Sequence, residues 1–490
     1  MKKIMKQFQI VFLLGLFLSN SLLAQQIAGD NFHEIYKDYK IADLDQRRFK
    51  HQDIQPLIER YRNKQEFEVQ KVGESIEGRG LNLISFGKGE IDVFLWSQMH
   101  GDESTATMAI FDILNYLDSE EDEQTVKTIS ENLKVHFLPM LNPDGAEEFT
   151  RRNALGIDVN RDALRLQSPE AKTLKRVRDS LDADFGFNLH DQSRYYNAER
   201  TDKPATISFL APAYNYEKDI NEVRGNAMKL IVVMNKVLQQ HAPGQVGRYN
   251  DDFEPRAFGD NIQKWGTSTV LIESGGYPGD REKQQIRKLN FATILTALQS
   301  ISNGSFKKEN IEEYERIPNN NRMLFDLKLE AVNYELNGNN YVLDLGINLY
   351  ERDLENNEKF YYSAGIIDQG DLSTSYAYET VDASAYKLDF GKIYPKILKD
   401  SSELEELKLV ELLKDGVAYI RMENLPEKTF SDMPINLVSE NFQLEKNLEP
   451  GRNATFFLKK DGKVEYVVMN GFLSRPEKAK QQVENALIFR

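Results

Sequence analysis

The chain has 490 residues, 40% of them hydrophobic and 28% charged, and its 62 Lys and Arg against 77 Asp and Glu give a formal net charge of −15. That length exceeds one average domain, the composition is that of an ordinary globular protein, and an acidic chain with no dense basic run does not suit a nucleic-acid partner. There is no cysteine, which excludes disulfides, thiolate ligands, a Cys nucleophile and a lipid anchor on an amino-terminal Cys; any metal must be held by His and carboxylates.

In chain order, Lys2, Lys3 and Lys6, the apolar run 10–18 and the small-residue end 19–24 read as a secretory signal peptide cleaved after Ala24. The run is too short to span a bilayer, and no later stretch reaches the ~20 apolar residues a membrane helix needs. The expected location is the periplasm or the medium. From 25 to about 67 the sequence is polar, with one amphipathic helix predicted from Ile54, Leu57, Ile58 and Tyr61. A strand pair is predicted over 69–87 around Glu77-Gly78-Arg79-Gly80. Val93, Phe94, Leu95 and Trp96 form the apolar run of a buried strand, which ends in His100-Gly101-Asp102-Glu103; Met108, Phe111, Leu114 and Leu117 then fall at helical spacing. After an acidic connection at 118–123, a second buried strand over 133–141 runs into the turn Asn142-Pro143-Asp144-Gly145. Ser168-Pro169-Glu170 opens a helix, with Ser as cap, Pro at the first position and Glu in the first turn. A strand over 184–189 ends in His190-Asp191, a helix follows over 223–238, a β-branched strand over 267–272 ends in Glu273, and a last helix covers 286–301. Strands alternating with helices predict an α/β fold, a mixed and mostly parallel sheet flanked by helices, over 25–304.

Beyond Gly304 the pattern changes. A charged, Asn-rich stretch, 305–321, reads as a linker. Residues 322–490 read as a β-rich accessory region of one or two modules, with hairpins at Asn337-Gly338, Asp415-Gly416 and Asp461-Gly462 and a short helix over 477–488. It contains no His and no ligand spacing.

Chemistry is expected where the α/β strands end, because open α/β sheets place their sites at the carboxyl ends of strands. Of six histidines, His33 and His51 lie in the polar front segment, His241 in a loop, and His136 inside an apolar strand, where a hydrogen-bonded core role suits it. His100 and His190 each follow a buried strand. With Glu103, three residues after His100, they form a three-ligand set that leaves a fourth position open, as catalytic zinc requires. Between them, Arg151-Arg152-Asn153-Ala154-Leu155-Gly156-Ile157-Asp158-Val159-Asn160-Arg161 suits recognition of a carboxylate by guanidinium forks. Each part alone also fits surface ion pairs.

Taken together, these segments resemble the zinc metallocarboxypeptidase family (carboxypeptidase A-like, in a bacterial exported form): His-x-x-Glu, Asn-Pro-Asp-Gly, Arg-x-Asn-x-x-Gly-x-Asp-x-Asn-Arg, a lone His, then a Glu after a strand. The resemblance covers roughly 55–302. It implies one zinc ion held by His100, Glu103 and His190, with Arg151 polarising the scissile carbonyl, Asn160 and Arg161 gripping the terminal carboxylate of a peptide, and Glu273 as general base and acid. Tyr249 is the nearest candidate for the family's mobile Tyr. Asp102 stands where digestive members carry Arg, and Asp162-Ala163 where the family usually has Asn-Phe. The implied activity is removal of C-terminal residues from peptides. The alternatives are an amidase on cell-wall peptides, a deacylase of the same fold, or a non-catalytic peptide-binding relative.

Overall fold

The computed structural model describes residues 32–119 and 122–490; the expected signal peptide and part of the acidic connection lie outside them. The described residues form two compact units: 32–199 with 203–321, and 200–202 with 322–490.

In chain order the first unit runs α1 (32–39), α2 (His51–Arg62), β1 (Phe67–Glu74), β2 (Gly80–Gly87), β3 (Ile91–Ser97), α3 (Thr105–Leu117), α4 (Glu123–Asn132), β4 (Leu133–Leu138) and α5 (Pro143–Glu147). It continues with α6 (Pro169–Leu181), β5 (Phe185–Asp191), β6 (Asn197–Ala198), β7 (Ile207–Leu210), α7 (Glu222–His241), β8 (Val246–Arg248), α8 (Phe258–Lys264), β9 (Ser268–Ser274), α9 (Gln284–Ser302), α10 (Ile311–Glu315) and β10 (Asn320–Asn321). One mixed sheet has the order β1-β2-β4-β3-β5-β9-β7-β8, and β6 pairs with β10 apart from it. Its centre, β4-β3-β5-β9, is parallel. The flanking β2 runs antiparallel to both of its neighbours, and β7 runs antiparallel to β9 but parallel to the edge strand β8.

The apolar run of β3 is continuous because both of its faces are covered. Val93 and Leu95 join a core with α2, α3, α7 and α9 on one side, while Phe94 and Trp96 pack on the other against α6 and α8. The helix starts follow the sequence signals. The Ser168 hydroxyl accepts from the Ala171 N–H at the head of α6, and Asn142 accepts from the Gly145 N–H at the head of α5.

Two stretches behave differently from their composition. The polar front segment carries two helices, and Phe32, Tyr36, Tyr39, Ile41, Leu44 and Phe49 are buried in the first core. What anchors it lies far away in sequence. Arg287 of α9 and Asp112 of α3, both fully buried, form a two-pronged ion pair at 2.6 Å per prong. The Arg287 Nη2 also donates to the Ile41 carbonyl at 2.9 Å and its Nη1 to that of Leu44, while Asp112 accepts from the Ile41 N–H at 2.8 Å. The expected linker 305–321 is likewise part of the first unit: Phe306, Tyr314 and Ile317 are buried in its core, and the division falls after Asn321. Its charged residues mask three apolar anchors spaced along a helical turn and its flanks.

The second unit contains β11 (Leu324–Leu336), β12 (Asn339–Asp353), β13 (Phe360–Gly370), β14 (Tyr376–Asp382), β15 (Lys387–Asp389), β16 (Lys392–Ile393), α11 (Leu409–Lys414), β17 (Val417–Met422), β18 (Phe430–Ser431), β19 (Asn436–Ser439), β20 (Phe456–Lys460), β21 (Lys463–Met469), β22 (Phe472–Ser474), α12 (Ala479–Gln482) and β23 (Ala486–Phe489). These make two sheets, β13-β12-β11-β15-β20-β21-β22 with β14 beside β11, and β16-β17-β19-β23-β18. Asn337-Gly338 and Asp461-Gly462 turn the predicted hairpins β11–β12 and β20–β21, all four residues having positive φ. Asp415-Gly416 does not: Asp415 caps α11 and Gly416 leads into β17, which pairs in parallel with its neighbours. The predicted end helix shrinks to α12, and β23 takes its last residues. Alternation alone did not distinguish a helix-to-strand joint from a hairpin, since a Gly with positive φ serves both.

Arg287→Met strands the buried Asp112 carboxylate, and an uncompensated buried charge costs about 3–5 kcal/mol. Thermal or denaturant unfolding should show that loss, and the double change with Asp112→Leu should recover most of it; equal stability for Arg287→Met and the unaltered chain would refute this account.

Candidate metal centre and substrate pocket

Parallel strands deliver their carboxyl ends to one edge of the sheet, and here β3, β5 and β9 do so side by side. His190 and Glu273 are direct register partners on β5 and β9. His100 and Glu103 lie in the turn between β3 and α3. That turn is tight. Gln98 takes a left-handed φ of 51°, and its side-chain amide donates to the Gly101 carbonyl at 2.9 Å. Gly101 lies against the backbone of Gly145 and Ala146, where a Cβ would have no room, while a Cβ on Gly145 would collide with the Asn142 side chain and the Arg152 carbonyl. The glycine of His-Gly-Asp-Glu thus lets its turn press on the Asn-Pro-Asp-Gly backbone, and the glycine of the latter lets that turn close on Asn142 and Arg152.

Glu103 is buried between two imidazoles. Its Oε1 lies 2.7 Å from His100 Nδ1 and its Oε2 2.7 Å from His190 Nδ1, and Oε2 also accepts from the Asp191 N–H at 3.2 Å. Ligand atoms of His100, Glu103 and His190 all fall within 4.8 Å of one another. Two imidazole nitrogens and a carboxylate oxygen converging at that spacing fit a tetrahedral zinc with one open position, and the donor types suit zinc better than calcium or magnesium, which take oxygen. The far nitrogen of His100 is oriented as a ligand's should be: Nε2 lies 3.1 Å from Asp158 Oδ1. The Asn160 Nδ2 lies 3.4 Å from His190 Nε2.

The electrostatics of the cluster follow from burial and mutual pairing. Burial alone would raise the Glu103 carboxyl, but His100 and His190 overcome it and hold it well below the usual carboxylate range. His100, against its own burial, is pushed up to about 9 by Glu103 and Asp158, whereas burial dominates at His190 and lowers it. Glu273, half-buried, is pushed well above the ordinary carboxyl value by burial first and by the Glu103 charge second. A carboxyl so placed holds a proton readily, which is the property a proton shuttle needs.

Around this cluster stand the residues expected to handle substrate. Arg151 brings its Nη1 to 3.1 Å from His100 Nδ1 and 3.4 Å from Glu103 Oε1, and its Nε donates to Asp158 Oδ2 at 3.0 Å. Asn160 and Arg161 sit on a single 3-10 turn, 159–161, where the Asn160 Oδ1 accepts from the Phe258 N–H at 2.9 Å. Arg161 Nε faces Glu254 Oε2 at 3.5 Å, and Glu254 also takes two contacts from Arg256. Any other carboxylate that came to Arg161 would have to compete with Glu254. Tyr249 follows β8; burial and then the Glu273 charge raise its phenol, which puts it within electrostatic reach of the candidate base. The structure thus brings His100, Glu103, His190, Glu273, Arg151, Asn160 and Tyr249 to one place, with Arg161 one residue beyond Asn160 and turned to Glu254.

The departures have structural reasons. Asp162 is buried and accepts from the Gln167 N–H, the Ser168 N–H and the Ser168 hydroxyl at 2.7–2.9 Å, so it organises the entry to α6. His136 lies apart from the cluster, hydrogen-bonded to Ser85 and Asp92 at 2.8 Å each. Asp158, part of the Arg-Asn motif, orients both His100 and Arg151. Its place between Gly156 and Asn160 was the available signal. Glu254 and Asp191 gave none, because their partners are distant in sequence.

Residues 56–235 match the family model described as zinc carboxypeptidase. Among curated proteins the chain is 30% identical over 175 residues to carboxypeptidase SOL1 of Arabidopsis thaliana, covering 29% of this chain and 35% of that protein. It is 28% identical over 170 residues to the carboxypeptidase N catalytic chain of Homo sapiens, covering 30% and 34%, and 26% identical over 138 residues to an uncharacterised protein of Zymomonas mobilis, covering 27% and 36%. The matched region therefore spans only about a third of each of these relatives. A metallo-carboxypeptidase structure from Burkholderia cenocepacia superposes with a TM-score of 0.44 at 18% identity over 52% of this chain and 70% of that one.

His100→Ala and His190→Ala should each abolish stoichiometric metal in metal analysis. His136→Ala should keep the metal and lower stability by about 1–3 kcal/mol, since it leaves buried polar groups without partners; metal loss in the His136 variant would refute the ligand set. A second expectation concerns Asp260 in α8, which burial pushes up to about 7. A folded-state pKa above the unfolded one means the folded chain holds the extra proton, so this group's contribution to stability falls as pH rises from about 4 to about 7. Asp260→Asn should flatten that part of the stability–pH curve, which unfolding at pH 4 and pH 7 would check.

Proposed function

We propose that the first unit is a zinc-dependent metallocarboxypeptidase that removes C-terminal residues from peptides. The observation that carries this reading is the convergence of His100, Glu103 and His190 beside the proton-holding Glu273 and the Arg151 guanidinium. Zinc, when bound by the three ligands, supplies a Lewis acid and acidifies water. Glu273 takes the proton of the attacking water and delivers it to the departing amine, a two-way role that its raised proton affinity favours. Arg151 keeps a preorganised positive charge where the carbonyl oxygen becomes an anion, and Asp158 fixes its direction. Asn160 and Arg161 receive the terminal carboxylate once it displaces Glu254.

Export follows from residues 1–24, and no described helix is long and apolar enough to cross a membrane. The product recovered outside the cytoplasm should begin at Gln25; a chain that keeps Met1 would count against export. For the chemistry, Glu273→Gln should retain zinc and substrate affinity while kcat falls about 10²–10⁴-fold, the usual share of a general base. Metal analysis and steady-state kinetics on C-terminally varied peptides, with muropeptides alongside, decide this. Loss of zinc on that change would make Glu273 a ligand, and full zinc without hydrolysis of any member of the panel would favour a binding protein.

A further inference from the structure

Behind the metal cluster sits a lysine to which neither the family motifs nor the ligand set assigns a role. Lys283 lies at the head of α9 in a left-handed conformation, φ 52° and ψ 30°, rare for a residue with a Cβ and upheld only where surroundings fix it. They do so here through Asp280. Its carboxylate accepts from the N–H groups of Gln284, Gln285 and Ile286 at 2.7, 2.8 and 3.2 Å and caps the helix in place of the residue at the cap position. The lysine side chain is then aimed away from solvent, 13% exposed, with Nζ donating at 2.9 Å to Asp191 Oδ2 and at 2.9 Å to the Ser274 carbonyl.

These two acceptors are the residues that directly follow His190 and Glu273. Asp191 holds more than the lysine: its Oδ2 accepts from the Thr105 hydroxyl at 2.6 Å, and its N–H donates to Glu103. Ser274 is gripped from its other side, its hydroxyl accepting from Asn290 Nδ2 at 2.8 Å and its carbonyl from the Gln192 N–H at 3.0 Å. One ammonium therefore ties together the ends of β5 and β9 and, through Asp191 and Thr105, the start of α3, two residues beyond Glu103. We propose that Lys283 is a positioning residue that sets the distance between the metal-binding cluster and Glu273. The proposal rests on the zinc-hydrolase reading for its catalytic half, but its metal half does not.

A neutral side chain of similar length removes the tie. Asp191 is then left as a buried carboxylate without its counter-ion beside Glu103, His190 loses its support, and the end of β9 is freed. Groups that orient metal ligands from behind are worth about 10–100-fold in metal affinity or activity. In the full-length chain, Lys283→Met should therefore raise the zinc dissociation constant at least about tenfold in chelator competition. On a peptide that the unaltered chain cleaves and Glu273→Gln does not, it should lower kcat by a similar factor with KM within about twofold, because the groups that grip the substrate carboxylate are untouched. Lys283→Arg, which keeps the cation, should restore most of both. Should Lys283→Met lower only the melting temperature while zinc affinity and kcat stay at the unaltered values, the lysine is structural and the proposal fails. It fails too if Met and Arg lose equally. Absence of hydrolysis by the unaltered chain would sink the functional reading alone, since the zinc competition still decides the clamp.

Discussion

The Glu103 carboxylate is shared between two imidazole nitrogens at 2.7 Å on either side and is nearly shut off from water, and the architecture around it makes sense as the means of keeping it there. A buried carboxylate is unfavourable unless charges or a metal compensate it. Compensation needs groups from separate strands at fixed distances. A parallel sheet core meets that need, because its strands are pinned in register by ladders on both sides and end at a common edge. The apolar bulk of β3 and β5, covered on both faces, fixes backbone positions to which the polar edge is attached. Rigidity below and charge above are one arrangement.

The same edge gathers more negative than positive groups: Asp102, Glu103, Asp158, Asp191 and Glu273 against Arg151, Lys283 and the two imidazoles. The balance suits a divalent cation and explains why the proton affinities of Glu103 and Glu273 are driven apart although the two carboxylates are neighbours. One is stabilised as an anion by imidazoles, and the other is buried facing that anion. Two neighbouring carboxylates with opposite tendencies match the division of labour proposed above.

Much of this was legible in the chain. The apolar run before His100, the strand before His190 and the strand before Glu273 each announced both a buried element and a polar end, and the six-histidine inventory left few competing ligand sets. What the sequence hid was anything decided by distant pairing. Arg287 and Asp112 are 175 positions apart, so nothing local marks the front segment as buried, although Phe32, Tyr36 and Tyr39 supply its apolar face. Phe306, Tyr314 and Ile317 were outnumbered by charged neighbours, so a packed segment had the composition of a linker. Glu254 lies 93 positions beyond its partner Arg161, and nothing local marks the pair. In the second unit, Asp415-Gly416 had the residues of a hairpin turn but joins a helix to a parallel strand.

The contact between Gly101 and Gly145 bears on how such a site can diversify. Backbone pressed on backbone transmits displacement without the slack a side chain would provide, so the turn that holds His100 and Glu103 is coupled to the one that leads to Arg151. An insertion or exchange confined to one of them would force the other out of line, whereas the rim formed by 250–257 shares no such seam. Change on this side of the molecule is thus constrained to alter the two turns together, as one cassette.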